Sequence, residues 1–211
     1  MIDLYTWTTP NGRKASIMLE ETALPYHVHA VNLGAQQQFS PEFTKLNPNQ
    51  KIPAIVDHDV AGGPLAIFES GAILIHLAEK TGRFLATDIR QRAATLQWLM
   101  FQMSHVGPIL GQAGHFANQA PERIPYAIQR FIGEGVRILG VLDGALAGCD
   151  HLAGEYSIAD MATYPWIEAA WGPLSSTLPE QIDRLGNLRR WMDRIAARPA
   201  VQRGMAVPNV G

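Results

Sequence analysis

The first eighty residues alternate between short apolar runs and longer segments whose apolar residues recur at helical spacing. Four runs are short, rich in β-forming residues and bounded by turn residues, which predicts strands at residues 2–7, 26–33, 54–57 and 65–68. Helical spacing predicts helices at residues 12–23, 41–46 and 72–80. Ser40 and Pro41 give the second of these helices an N-cap and a first-turn proline.

The order of these elements limits the topology of the N-terminal half. A strand–helix–strand unit pairs its two strands in parallel, whereas two short strands joined by a Gly-containing turn form an antiparallel hairpin. We therefore predict an α/β domain with a mixed four-stranded sheet and helices, in the outline of a thioredoxin-like domain. Its expected extent is residues 1–82.

The remainder of the chain has no convincing strand and is predicted to be an all-helical domain over residues 89–211, after a linker at residues 83–88. Long helices are expected at residues 89–111, 124–146 and 185–197, with a loop at 114–123 and a loosely held tail from residue 201. Ser157 and Asp160 form an S-x-x-D capping signature that opens another helix. Pro165 is expected to kink or shorten that helix.

Composition and charge narrow the possible functions. The net charge of −2 gives no basic footprint, so we expect no nucleic-acid partner. No run approaches the roughly 20 apolar residues of a membrane span, and no basic stretch precedes an apolar run at the start, so we expect no signal peptide. Cys149 is the single cysteine, which suits a reducing, cytoplasmic compartment. Seven histidines show no metal-ligand spacing, so we expect no metal.

A polar, turn-forming segment runs into a short apolar strand at Ile52-Pro53. Pro53 cannot donate a main-chain hydrogen bond, and the peptide bond before a proline is the one that readily becomes cis. We expect a tight turn here that leaves the main-chain N–H and C=O of Ile52 available to an external partner.

Several segments together carry a family resemblance: Thr9-Pro10-Asn11-Gly12, Asn47 to His58, Phe68-Glu69-Ser70-Gly71-Ala72, and Ala78-Glu79-Lys80-Thr81-Gly82. With the Ser157-Ile158-Ala159-Asp160 signature, they resemble cytosolic glutathione transferases, and more closely the Nu-class, or Ure2p-like, bacterial members. The resemblance spans nearly the whole chain. It implies a homodimer that uses glutathione, reduces disulfide bonds and has weak conjugation activity.

Thr9 and Asn11 lie where the first strand meets the first helix, and there a hydroxyl and helix-start N–H groups can donate to a thiolate. The resemblance places the glutathione thiol at the same two residues. Tyr5 and Ser16 are competing hydroxyls, inside the strand and inside the helix. The alternative role is structural, with Thr9 as a turn residue and Asn11 as an N-cap.

The resemblance also implies how the tripeptide is held. Ile52, before Pro53, would pair its main chain with the cysteinyl unit. Ser70, at a helix start, would bind the γ-glutamyl carboxylate, and Glu69 the ammonium group. The structural alternative is that Glu69 and Ser70 only cap the helix.

Further glutathione-binding residues are given by resemblance alone. Gln38 and Lys51 are candidates for binding the glycyl end of glutathione. Arg130 is a candidate for binding a carboxylate, either of the same glutathione or of a second one. The alternative for Arg130 is a solvated helix face.

The sequence contains no C-x-x-C pair, so both reducing equivalents must come from glutathione, with one or two molecules per site. The predicted function is reduction of small disulfides by thiol–disulfide exchange. Two alternatives remain: conjugation, isomerisation or ether cleavage of an electrophile with the same cofactor, and a non-enzymatic module that binds a protein partner.

Overall fold

A four-stranded mixed sheet forms the centre of the N-terminal part of the computed structural model, which describes residues 1–210. The strands are β1 (Ile2–Thr6), β2 (Tyr26–Ala30), β3 (Ala54–Asp57) and β4 (Leu65–Phe68), in the order β2-β1-β3-β4. β1 is parallel to β2 and antiparallel to β3, so Leu4 lies between Val28 and Ile55. The predicted mixed sheet and its hairpin are confirmed.

Three helices follow the strands in this part of the chain: α1 (Pro10–Thr22), α2 (Pro41–Leu46) and α3 (Ser70–Thr81). A short 3₁₀ turn at Gln37–Phe39 precedes α2. Ser40 caps α2 as predicted, since its hydroxyl oxygen accepts from the Phe43 N–H at 3.2 Å. The core is formed by buried side chains of the sheet, α1 and α3, among them Ile2, Leu4, Ile17, Met18, Ile55, Ile73, Leu74 and Leu77.

Helices make up the second compact unit, Ala86–Ile195. They are α4 (Ile89–Phe101), a π-helical segment (Gln102–Val106), α5 (Gly107–Asn118), α6 (Pro125–Ala145), α7 (Ile158–Thr177), α8 (Pro179–Ile182) and α9 (Gly186–Ala196). Within residues 1–210, none of the helices combines the length and the apolar character that crossing a bilayer would need.

The structure differs from the sequence predictions at two places in this unit. The loop expected from residue 114 begins later, because α5 continues to Asn118 after the widened π-helical segment. Of the two effects expected of Pro165, shortening of the helix does not occur, since α7 runs through both Pro165 and Pro173. A proline removes one main-chain hydrogen bond, but every residue from Ile158 to Pro165 is buried, and this packing holds the helix together.

The predicted capping signature at the start of α7 is a complete capping box. The Ser157 hydroxyl oxygen accepts from the Ala159 N–H, and the Asp160 carboxylate accepts from the Ser157 N–H at 3.0 Å. Asp160 also accepts from the Leu152 N–H at 3.0 Å and from the Trp191 indole N–H at 2.8 Å. Burial raises the pKa of Asp160, while these hydrogen bonds lower it.

The C-terminal tail is more ordered than predicted. It forms α10 (Pro199–Met205), which packs on α1, and the compact unit that contains the sheet therefore includes both Met1–Leu85 and the segment that begins at Ala196. Gly204 makes this contact possible, because a Cβ there would lie 2.6 Å from the Ile17 Cα. A single sequence does not reveal which distant helix a glycine such as Gly204 will contact.

We predict that Asp160→Asn lowers the free energy of unfolding by roughly 1–3 kcal/mol, because the amide presents a donor to main-chain and indole N–H groups that need an acceptor. The control is Asp193→Asn, which alters an exposed pair with Arg189 and should change stability by less than about 0.5 kcal/mol. Urea unfolding measures both. Equal stability of the two variants would contradict a central role for Asp160.

Candidate active site

Asn47 holds the turn that leads into β3. Its side-chain N–H donates to the Lys51 carbonyl at 2.6 Å, and its side-chain oxygen accepts from the Asn49 N–H at 2.9 Å. Asn47 itself is only 2% exposed. The turn ends at a cis Ile52–Pro53 peptide bond. Asn47 begins one of the segments that carry the family resemblance but is not among the predicted binding residues, although an Asn before a proline is a recognised turn signal.

Ile52 turns its side chain inward and its main chain outward. The side chain packs with Val31, Phe43 and Ala54 and is 8% exposed. Its N–H and C=O make no main-chain hydrogen bond to any of residues 1–210. Ile52 thus offers one donor and one acceptor beside a strand, as a peptide-like ligand requires.

A polar cavity of about 170 Å³ lies at this turn. Its lining is formed by Asn11, Asn47, Asn49, Lys51, Ile52, Pro53, Glu69 and Ser70. Six of these residues were predicted from the sequence, and Asn47 and Asn49 were not. Lys51 and Glu69 bring opposite charges to one small cavity, an arrangement that suits a zwitterionic ligand.

Thr9 is the N-cap of α1, and Asn11 follows as the second residue of the helix. The Thr9 hydroxyl oxygen accepts from the Gly12 N–H at 3.2 Å, which leaves the hydroxyl proton for donation to another group. The sequence alternative that made Asn11 the cap is therefore wrong, since Thr9 fills that role. Gly12 packs against the end of β1, where a Cβ would lie 2.4 Å from the Trp7 carbonyl oxygen.

The two residues with competing hydroxyls pack within the first unit. The ring of Tyr5 stacks on His29 with 4.5 Å between ring centroids. The Ser16 hydroxyl, fully buried, donates to the Gly204 carbonyl at 2.7 Å. Tyr5 lies inside β1 and Ser16 inside α1, whereas Thr9 is the N-cap at the start of α1.

Glu69 and Ser70 begin α3 in an unusual main-chain conformation. Glu69 has a φ of 70°, in the region that favours glycine, and its side chain makes no capping hydrogen bond. Such strain in a non-glycine residue is characteristic of functional sites. It places the exposed Glu69 carboxylate and the buried Ser70 hydroxyl side by side at the start of a helix.

Lys14 lies behind this helix start and was missed by the sequence analysis. Its side chain is 1% exposed, and its ammonium nitrogen lies 3.4 Å from the Ser70 hydroxyl oxygen, to which it donates. Burial lowers the pKa of Lys14 to about 7, against the opposing effect of the Glu69 charge. The only sequence signal was a lysine on the apolar face of a predicted helix.

Three predicted residues lie outside the cavity lining. Thr9 stands at the cap just before Asn11, and Gln38 lies in the 3₁₀ turn with a buried side-chain oxygen that has no hydrogen-bond partner within residues 1–210. Arg130, on α6, lines a cavity of about 560 Å³ in the second unit, together with Tyr126 and Glu134.

Cys149 and the possible metal-binding side chains were also located in the structure. Cys149 is exposed and follows α6 in the second unit. Among residues 1–210, the structure contains no group of three His, Cys, Asp or Glu side chains that could hold a metal ion. His29 and His58 instead bond to Asp3, at 3.1 and 2.7 Å.

The architecture and the cavity match one family. The model of the glutathione S-transferase N-terminal domain matches residues 1–79, and that of the C-terminal domain matches residues 133–199. The chain belongs to the glutathione S-transferase family. The resemblance found in the sequence is thereby confirmed.

Relatives within the glutathione S-transferases are similar over the full chain. Disulfide-bond oxidoreductase YfcG of Escherichia coli is 48% identical, with 100% of this chain and 97% of the relative covered. Disulfide-bond oxidoreductase YghU of the same organism is 42% identical over 98% of this chain and 74% of its own length.

Solved structures of other glutathione transferases share the fold closely. The enzyme from Burkholderia graminis, with two glutathione molecules bound per subunit, superposes with a TM-score of 0.95 at 44% identity, covering 100% of this chain and 89% of its own. The Pseudomonas putida enzyme, with one glutathione disulfide bound per subunit, superposes with a TM-score of 0.94 at 45% identity. The match covers 98% of this chain and 91% of the Pseudomonas putida chain.

We predict that Thr9→Val lowers the free energy of unfolding by about 0.5–2 kcal/mol, because the Gly12 N–H loses its capping acceptor. Thr9→Ser keeps the hydroxyl and should retain most of the stability. Urea unfolding of the two variants separates the cap from the volume of the side chain. A valine variant as stable as the wild type would show that the cap contributes nothing.

Proposed function

We propose that this protein reduces small disulfides by thiol–disulfide exchange, with glutathione as the thiol source. One observation carries the proposal: a single cavity gathers the cis Ile52–Pro53 turn, Asn11 at the start of α1, and Glu69 and Ser70 at the start of α3. The names of the two Escherichia coli relatives and the ligands of the solved structures support it.

The proposed binding mode follows the chemistry of the lining. The main chain of Ile52 pairs with the cysteinyl unit of glutathione, next to the cis Pro53. Ser70 donates to the γ-glutamyl carboxylate at the N-terminus of α3, where main-chain N–H groups are directed outward. Glu69 accepts from the γ-glutamyl ammonium. Lys51, with Gln38, holds the glycyl carboxylate.

Activation of the thiol falls to the start of α1. A cysteine-type thiol has a pKa of roughly 8.5, so only a few per cent is thiolate at pH 7. Lowering that pKa by about 2 units needs roughly 2.7 kcal/mol of preferential stabilisation of the thiolate. The Thr9 hydroxyl proton, the Asn11 side-chain N–H and the helix macrodipole are the proposed sources.

The exchange uses two glutathione molecules. The first thiolate attacks one sulfur of the disulfide, the S–S bond breaks, and a thiolate leaves and takes up a proton. The second glutathione thiolate attacks the glutathione sulfur of the mixed disulfide, which releases the second thiol and glutathione disulfide. The two electrons that reduce the substrate thus come from two glutathione thiols, and Arg130 is the proposed partner of a carboxylate of the second.

The remaining assignments follow the same proposal. A cytoplasmic homodimer is consistent with the single cysteine and with exposed apolar side chains such as Leu65 and Phe68 on β4. We keep residues 1–82 as the glutathione-binding domain, 83–88 as a linker and 89–211 as the helical domain. By chain order α10 belongs to the end of the helical domain, although it packs on α1 and its contacts place it in the compact unit that contains the sheet.

The proposed function is tested by a pair of assays on one preparation. Glutathione-dependent reduction of a small model disulfide should be fast, and conjugation of an aryl halide slow. Cys149→Ala should leave the reductase rate within about twofold of wild type, because the exposed thiol takes no part. Loss of reduction on that substitution would overturn the two-glutathione mechanism. Conjugation that is faster than reduction would favour the alternative of a conjugating enzyme. Absence of both activities would favour the non-enzymatic module.

We further predict that Asn11→Ala raises the pKa of the bound glutathione thiol by about one unit, because the thiolate loses a hydrogen bond from the Asn11 amide that contributes roughly 1.4 kcal/mol. Titration of the thiolate by its ultraviolet absorbance measures this pKa. Asn118→Ala, an exposed change on α5, is the matched control and should leave the pKa at the wild-type value. An Asn11→Ala titration that overlays the wild type would remove Asn11 from the activating role.

A further inference from the structure

A buried lysine contacts the proposed γ-glutamyl subsite from the interior of the protein. Lys14 is 1% exposed, yet its ammonium lies 3.4 Å from the hydroxyl oxygen of Ser70, which lines the cavity. A buried lysine is costly to keep charged, and few lysines are found fully inside proteins. Its position beside the proposed carboxylate-binding residue therefore calls for a functional explanation.

We propose that Lys14 is a positioning residue for glutathione, which orients the Ser70 hydroxyl toward the γ-glutamyl carboxylate and couples binding of that carboxylate to uptake of a proton. The inference rests on the proposed function, because it takes the cavity to be the glutathione site. It adds to that function a residue and a proton that the binding mode alone does not require.

The direction of the hydrogen bond explains the orienting role. An ammonium group is a donor only, so a charged Lys14 forces the Ser70 oxygen to accept and keeps the hydroxyl proton for another acceptor. A neutral amine has a lone pair and can instead accept that proton. The charge state of Lys14 thus decides whether Ser70 presents a donor to an incoming carboxylate.

The surrounding charges leave Lys14 sensitive to a ligand. Several charged groups near α1 are paired with one another: Arg198 with Glu21, Arg203 with Glu20, His76 and Lys80 with Asp57, and His29 and His58 with Asp3. Arg13 on α1 and Glu79 on α3 make interactions of their own. Glu69, an exposed side chain, carries the charge that raises the pKa of Lys14 against the effect of burial. A ligand carboxylate at Ser70 adds a second negative charge close by.

The sign of the linkage follows from these charges. Burial leaves Lys14 with a pKa of about 7 in the free protein, so a large fraction is neutral at pH 8. A bound carboxylate favours the charged form and raises that pKa. The complex therefore holds more protons than the free protein above pH 7, and affinity is greatest below that pH and declines as pH rises.

The experiment is calorimetric titration with S-methylglutathione, whose blocked thiol cannot release a proton. Measurements at pH 8 in buffers of different ionisation enthalpy give the number of protons taken up per site. Wild-type protein should take up a substantial fraction of a proton. Lys14→Met, which keeps the length and removes the charge, should lose at least half of that uptake and bind about tenfold more weakly at pH 6.5.

Lys45→Met is the matched control, since Lys45 is an exposed lysine on α2 that lies outside the cavity lining. It should match wild type in both proton uptake and affinity. Protonation of the ligand's own ammonium contributes equally to all three proteins, so the difference between wild type and Lys14→Met isolates Lys14. Urea unfolding verifies that Lys14→Met is folded, as expected when a buried charge is replaced by an apolar group of similar volume.

The outcomes separate this inference from the proposed function. Binding by wild type with no proton uptake, or the same uptake in Lys14→Met, overturns the role of Lys14 and leaves the glutathione site intact. Absence of S-methylglutathione binding to wild type overturns the proposed function itself. Should Lys14→Met fail to fold, the wild-type pH dependence decides: affinity that stays constant between pH 6 and 8 contradicts the linkage.

Discussion

Close packing of α1 against its neighbours determines where the functional groups of the first unit lie. Gly12 brings the start of the helix against the end of β1, and Gly204 brings α10 against its middle, each at a separation that a Cβ would obstruct. The helix is consequently buried along most of its length, from Lys14 to Leu19. Asn11, the second residue of the helix, is held in the cavity lining as a result, with the N-cap Thr9 two residues before it.

Burial of polar groups follows a common rule in both units. Asp57 and Asp160 are fully buried carboxylates, and each accepts several hydrogen bonds, from His76 and Lys80 in one case and from main-chain and indole N–H groups in the other. Lys14 is the buried cation, with Ser70 as its neighbour. The first two stabilise the fold. The third lies directly behind the proposed binding site, which makes its charge available to a ligand.

The proposed selectivity of the site comes from two helix starts that suit different parts of the ligand. The start of α1 carries the donors suited to a thiolate, and the start of α3 carries Ser70 and Glu69, suited to an amino-acid end group. The Ile52 main chain belongs to the same cavity lining and is the proposed partner of the ligand's peptide backbone. A short tripeptide thiol with free carboxylate and ammonium groups satisfies all three.

The family resemblance indicated six residues of the cavity lining. Local sequence determined the strands, the hairpin, most helices and the capping box at Ser157. Each of these depends on neighbours in the chain: periodicity, caps, turns and a proline. Tertiary structure alone decided that α7 continues through Pro165, that α10 packs on α1 and that Lys14 lies behind Ser70. These features depend on burial and on contacts between distant segments, which local periodicity does not encode.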